Sequence, residues 1–161
     1  MKTASVKEIK QELTAYTQAE LLELCMRLIK FKKENKELVT YKVFEAGDEQ
    51  NYVRSVQEML DEIFLDVNTS QPYYAKKTLR KIVRTANRYI KYSPEPTSEA
   101  EILMHVCQKI QSLGLKLKKN TQILNLYNGL VKRIDKAIQG MHEDLQYDYQ
   151  RDMEAIRAYG L

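Results

Sequence analysis

The sequence predicts an all-α fold, and three observations carry that prediction. Only five Gly and three Pro occur in 161 residues, too few turn and bulge formers for a many-stranded sandwich or barrel. Apolar residues recur at three-and-four spacing through most of the chain, the period of a helix with one buried face. Ser or Thr is followed three residues later by Glu at Ser5/Glu8, Thr17/Glu20 and Ser98/Glu101. In such a capping box the hydroxyl closes the first helical turn and the carboxylate reaches back.

The expected architecture is an antiparallel bundle of about five to six helices in a single domain, residues 1–161, because a chain of this length holds one sizeable core. A short helix is expected near 5–14. Thr17 opens the next, whose stripe is Leu21, Leu24, Cys25, Leu28 and Phe31; the polar stretch Lys32-Lys33-Glu34-Asn35-Lys36 either breaks it or simply exposes it, and the helical pattern continues through Leu38 and Phe44 to about Ala46. Gly47 is a natural stop and Asp48 an N-cap for a helix over 49–67. Pro72 pre-sets the first turn of a helix over 73–92. The run Ser93-Pro94-Glu95-Pro96-Thr97 breaks the chain, Ser98 caps the next helix, and Gly114 ends it.

The last stretch is the most regular. Ile123, Tyr127, Leu130, Ile134, Ile138, Met141 and Leu145 keep one face through Gly140. The pattern predicts either one long helix over 120–158, straight or kinked at Gly140, or two helices with a boundary at Gly140. Unbroken, it would be about 60 Å long at 1.5 Å per residue and would overhang a bundle of shorter helices, which raises the expectation of a homodimer.

Charge is distributed unevenly. The net charge is +4, yet residues 67–94 carry seven basic side chains and no acidic one. With Lys77 at zero and 100° per residue, Lys81, Arg84, Arg88 and Lys91 fall within about 40° of it and Arg80 at about −60°. Leu79, Ile82, Val83, Ala86 and Ile90 gather at the opposite pole. Like charges at i, i+4 and i+7 repel by a few tenths of a kcal/mol per pair, so the ridge carries a standing cost that a purely solvated face does not need. A polyanion is the matching ligand chemistry: an acidic protein surface, or nucleic-acid phosphates. Tyr73, Tyr74, Tyr89 and Tyr92 flank the ridge and are candidates for stacking on unpaired bases. Against this stands the plainer reading that Glu143, Asp144, Asp148 and Asp152 cover the ridge within the molecule.

Catalytic and metal-binding patterns are not found. His142-Glu143 starts like a zinc-protease helix, but Gln146 stands where the second His is needed. The Glu-x-x-His of di-iron bundles fails at both His105 and His142, which are preceded by Ile102 and Gln139. Cys25 and Cys107 lie on apolar stripes, where a free thiol is expected to behave as a small buried hydrophobe. No P-loop, dinucleotide fingerprint or nucleophile elbow occurs. No metal, cofactor or catalytic residue is therefore expected, and the chain is read as a non-enzyme. No apolar run approaches the roughly 20 residues of a membrane span, and the N-terminus lacks the apolar region of a signal peptide, so a soluble, cytoplasmic protein is expected.

The run Leu21–Lys36, with its Leu-Leu-Glu-Leu pattern, followed by Asn35-Lys36-Glu37-Leu38 and Tyr41, resembles small all-helical bacterial proteins of unknown function. The resemblance implies a helical fold and a bacterial cytoplasmic setting, and it carries no site residues. The leading expectation is a protein-interaction module that presents the 77–91 helix to an acidic protein surface; an RNA- or DNA-binding module using the same ridge is the alternative.

Overall fold

Ser5 and Thr17 close the first turns of helices α1 (Val6–Leu13) and α2 (Gln18–Phe31), and Glu8 and Glu20 complete both capping boxes. The computed structural model describes residues 2–160, and among them every regular element is helical. The chain divides into two compact units, Met1–Phe44 and Glu45–Leu161. Eight α-helices are present among the described residues, against the five to six expected. The extra ones come from breaks at the two places where the sequence leaves a boundary open, the 32–36 stretch and Gly140.

The first break lies in the 1–44 unit. Lys32 takes an extended conformation (φ −143°, ψ 140°) and separates α2 from α3 (Lys33–Thr40). The Asn35 side-chain amide donates to the Leu28 carbonyl at 2.9 Å and bridges the interruption. A π-helical turn, Tyr41–Glu45, follows. No side chain of α1, α2 or α3 is buried. Leu22, Leu28 and Phe31 remain 63%, 49% and 78% exposed.

The 45–161 unit holds a dense core. It is built from α4 (Glu49–Phe64), α5 (Pro72–Ile90), α6 (Pro96–Ser112), α7 (Thr121–Gln139) and α8 (Glu143–Gly160). Asp48 caps α4 by accepting from the Asn51 amide, and Asn120 caps α7 in the same way through the Ile123 amide. Gly114, just past α6, has φ +62°, the left-handed conformation that glycine adopts at little cost. The expected Ser98 cap is not formed. Pro96 is the first residue of α6, three before the Glu99 at which a Ser98 cap would start it, and Ser98 is instead buried, its hydroxyl donating to Glu49 at 2.6 Å. Ser93 donates to the same carboxylate oxygen, so the proline-containing connection is clasped to the first turn of α4.

The second break is at Gly140. Of the two readings of 120–158, the boundary at Gly140 is the one formed: the stretch is two helices, α7 and α8, with residues 140–142 between them. No 60 Å helix overhangs the core, which removes the geometric reason for expecting a homodimer through this end of the chain. Gln146 ties the turn by donating to the Met141 carbonyl at 2.8 Å.

Alternate helices run in the same direction. Gln57 and Asp61 on α4 bond Glu101 and His105 on α6, both 44 residues on. Lys76 and Asn87 on α5 bond Gln122 and Arg133 on α7, both 46 residues on. Gln111 on α6 reaches the Ala155 carbonyl on α8, again 44 residues on. Meanwhile the Tyr52 hydroxyl, near the start of α4, donates to the Tyr89 carbonyl near the end of α5, so α5 runs back along α4.

Helix α6 is the centre of this arrangement and packs against α4, α5, α7 and α8. Ala100, Ile102, Leu103, Met104, Val106, Cys107 and Ile110 are all buried and occupy most of its circumference, the pattern of a helix enclosed by others. Burial pushes the Cys107 thiol up to about 12. Tyr127 of α7 is fully buried; its hydroxyl donates to the Ile156 carbonyl at 2.8 Å and accepts from Gln111 at 2.9 Å.

Two substitutions test this core. Ile110→Ala removes a fully buried side chain and is expected to cost about 2–5 kcal/mol in urea unfolding. Tyr127→Phe keeps the ring but leaves the Ile156 carbonyl without its donor, and is expected to cost about 1–3 kcal/mol.

Candidate polyanion-binding face

Helix α5 forms because Pro72 sits at its first position, where φ is already fixed and no amide donor is lost. Ala75, Leu79, Ile82, Ala86 and Ile90 then recur at three-and-four spacing, and all five are buried. That register turns the opposite side of the helix outward. Lys77, Arg80, Lys81, Arg84 and Lys91 are exposed, and the ridge from Lys77 to Lys91 is about 21 Å long.

Among the described residues, no ion pair joins any of those five cations to an acidic side chain. The acidic residues of 143–154 do not cover them: α8 packs on α6 and α7. Asp144 stands beside His142 at 3.4 Å, both well exposed. The ridge therefore presents its charge outward.

Arg88 differs from the other five. It is half-buried, its guanidinium lies 5.0 Å from the centre of the Tyr89 ring, and it donates to the Tyr89 hydroxyl at 3.4 Å. It belongs to the packing at the end of α5 rather than to the outward row.

The four tyrosines separate into two pairs. Tyr73 and Tyr74 are 65% and 51% exposed and meet edge to face with centroids 5.4 Å apart. Lys76 reaches over the Tyr73 ring at 5.3 Å while donating to Gln122 at 2.6 Å. Tyr89 and Tyr92 pack edge to face at 5.6 Å. Tyr89 is half-buried, and Tyr92 is only 7% exposed, so it offers no open ring face to a base. Lys136, on α7, adds a cation that α5 alone does not contain. It lines an open recess with Ile90, Ser93, Pro94 and Arg133. Arg133 itself is matched, pairing with Glu99 at 2.6 Å and donating to Asn87.

His105 is structural in its contacts. Its Nε2 lies 2.7 Å from one oxygen of Asp61, and the Lys109 ammonium lies 2.7 Å from the other. This triad links α4 to α6. Partial burial acts to raise the Asp61 pKa, but hydrogen bonds from Lys109 and His105 outweigh it and hold the carboxyl below its ordinary value. No group of three or more His, Cys, Asp or Glu able to hold a metal occurs among the described residues. Cys107 is buried as expected, whereas Cys25 is exposed, because the helix that carries it buries no side chain.

Two measurements bear on these charges. Lys81 stands one turn from both Lys77 and Arg84, so Lys81→Gln is expected to raise stability by a few tenths of a kcal/mol in low-salt urea unfolding, and by less when salt is added. Asp61 has a depressed folded-state pKa. Its contribution is present above the ordinary carboxylate range and is lost as pH falls through the folded value. The stability gap between the wild type and Asp61→Asn is therefore expected to hold above about pH 5 and to narrow as pH falls below about 4, through the depressed folded value.

No protein-family model matches the chain, and neither a characterised protein nor a solved structure shows significant similarity to it.

Proposed function

We propose that this chain is a non-enzymatic, cytoplasmic interaction module whose α5 ridge docks onto an acidic protein surface. The observation that carries the reading is the outward row of Lys77, Arg80, Lys81, Arg84 and Lys91, with which no acidic side chain pairs among the described residues. Like charges held on one rigid helix raise the local potential, and an acidic partner relieves that repulsion as it binds. Helix α5 is anchored by five buried side chains, so the row is pre-organised and little ordering is required on association.

Nucleic acid is the second reading. The exposed Tyr73 and Tyr74 pair at one end of the ridge supports it, since aromatic faces beside a cationic groove suit single-stranded RNA. The inward packing of Tyr89 and Tyr92 leaves that reading with half of its stacking residues.

Fluorescence anisotropy separates the two. Labelled Asp/Glu-rich peptide, single-stranded RNA and duplex DNA are titrated with the full chain at low and physiological salt. Tightest binding to the acidic peptide, lost in Lys81→Glu/Arg84→Glu, is the expected result. RNA binding that is tighter, and whose salt slope falls by about 0.7 per ridge cation removed, would place nucleic acid first. No binding of any polyanion at low salt would end both readings. Arg88 is left intact because it packs on Tyr89.

A further inference from the structure

A second surface, independent of α5, lies on α2. Its apolar stripe runs Leu21, Leu24, Leu28 and Phe31, with Cys25 at its edge. Leu21, Leu28 and Phe31 are 37%, 49% and 78% exposed, Cys25 is exposed as well, and Leu24 between them is half-buried. A unit of this length is at the limit of what can bury a core by itself, and below about 40 residues oligomerisation is a usual remedy. Exposed apolar residues gathered on one face mark an interaction surface.

The charges beside the stripe say what covers it. With Leu28 at zero and 100° per residue, Leu21, Leu24 and Phe31 fall at about 20°, −40° and −60°. Glu20, Glu23, Arg27 and Lys30 all fall on one flank, between about −80° and −160°. The two acids occupy the first half of α2 and the two bases the second half. Such a flank is complementary to its own reverse.

We propose that α2 pairs with α2 of a second copy of this chain, antiparallel, about a two-fold axis between Leu24 and Cys25. Leu21 of each copy then faces Leu28 of the other, and the two Leu24 side chains meet at the axis. To within one residue, Glu20 stands opposite Lys30 and Glu23 opposite Arg27, each pair occurring twice. An isologous contact of this kind closes at two copies. A parallel pairing would instead set the charged flank against the apolar flank that carries Cys25 and Ile29.

Light scattering on the full chain is expected to give the mass of a dimer, and a monomer at about 100 μM would overturn the proposal. Arg27→Glu/Lys30→Glu makes the flank wholly acidic, and Glu20→Lys/Glu23→Lys makes it wholly basic. Each variant alone is expected to weaken the dimer by on the order of tenfold or more, and an equimolar mixture is expected to restore it as a heterodimer. A dimer indifferent to both changes overturns the α2 pairing.

A second measurement does not depend on variants folding well. Cys25 lies beside the axis, so oxidised glutathione is expected to link the two copies. The two Cys25 thiols give up two protons and two electrons to form one S–S bond, and the glutathione disulfide is reduced to two thiols. A cross-linked dimer on a non-reducing gel, absent in Cys25→Ser, supports the antiparallel axis; a dimer by light scattering that forms no such link overturns it.

Discussion

Enclosure of α6 is the constraint on which the 45–161 unit depends. A helix that is apolar around most of its circumference is stable only when other helices surround it. Helices α4, α5, α7 and α8 meet that demand. Their inward faces are thereby assigned, and so are their outward ones. The register of α5 is one product: with Leu79, Ile82 and Ala86 committed to the interior, the lysines and arginines between them have nowhere to go but out.

The polar bonds between helices serve this packing and do not compete with it. Glu49 holds Ser93 and Ser98, Asp61 holds His105 and Lys109, and Tyr127 satisfies a carbonyl of α8. Each joins elements already adjacent through apolar contact, at positions where a buried or half-buried polar group needs a partner. The 1–44 unit is built differently. Its helices have sound caps and amphipathic faces, yet α1, α2 and α3 bury no side chain. Local signals suffice to form a helix there, and no enclosed helix imposes a use for its apolar face.

Much of this was legible in the sequence, and the exceptions have physical reasons. The helical class, the Ser5 and Thr17 caps and the outward row on α5 follow from spacing alone, because a helix fixes angle once residue number is known. The polar run 32–36 marks a place where α2 either breaks or is exposed, and with neither Gly nor Pro in it the sequence does not choose between the two. At Gly140 the choice between one helix and two is left open because Ile134, Ile138, Met141 and Leu145 stay in phase across it. Pro96 overrides the Ser98/Glu101 box, since a proline at the first helical position fixes the start three residues earlier. Arg88 and Tyr92 escape for another reason. A helical wheel places directions, not neighbours, and Tyr92 lies beyond the last residue of α5, where the wheel no longer applies.

The recurring separation of 44 to 46 residues between bonded helices also bears on how the chain reaches this state. Loop-closure entropy depends only logarithmically on the length of chain enclosed, so α4 with α6, α5 with α7, and α6 with α8 require nearly the same entropic sacrifice. Chain length therefore does not rank these pairings. What distinguishes the pairings is their side chains, and α6 is a member of two of the three.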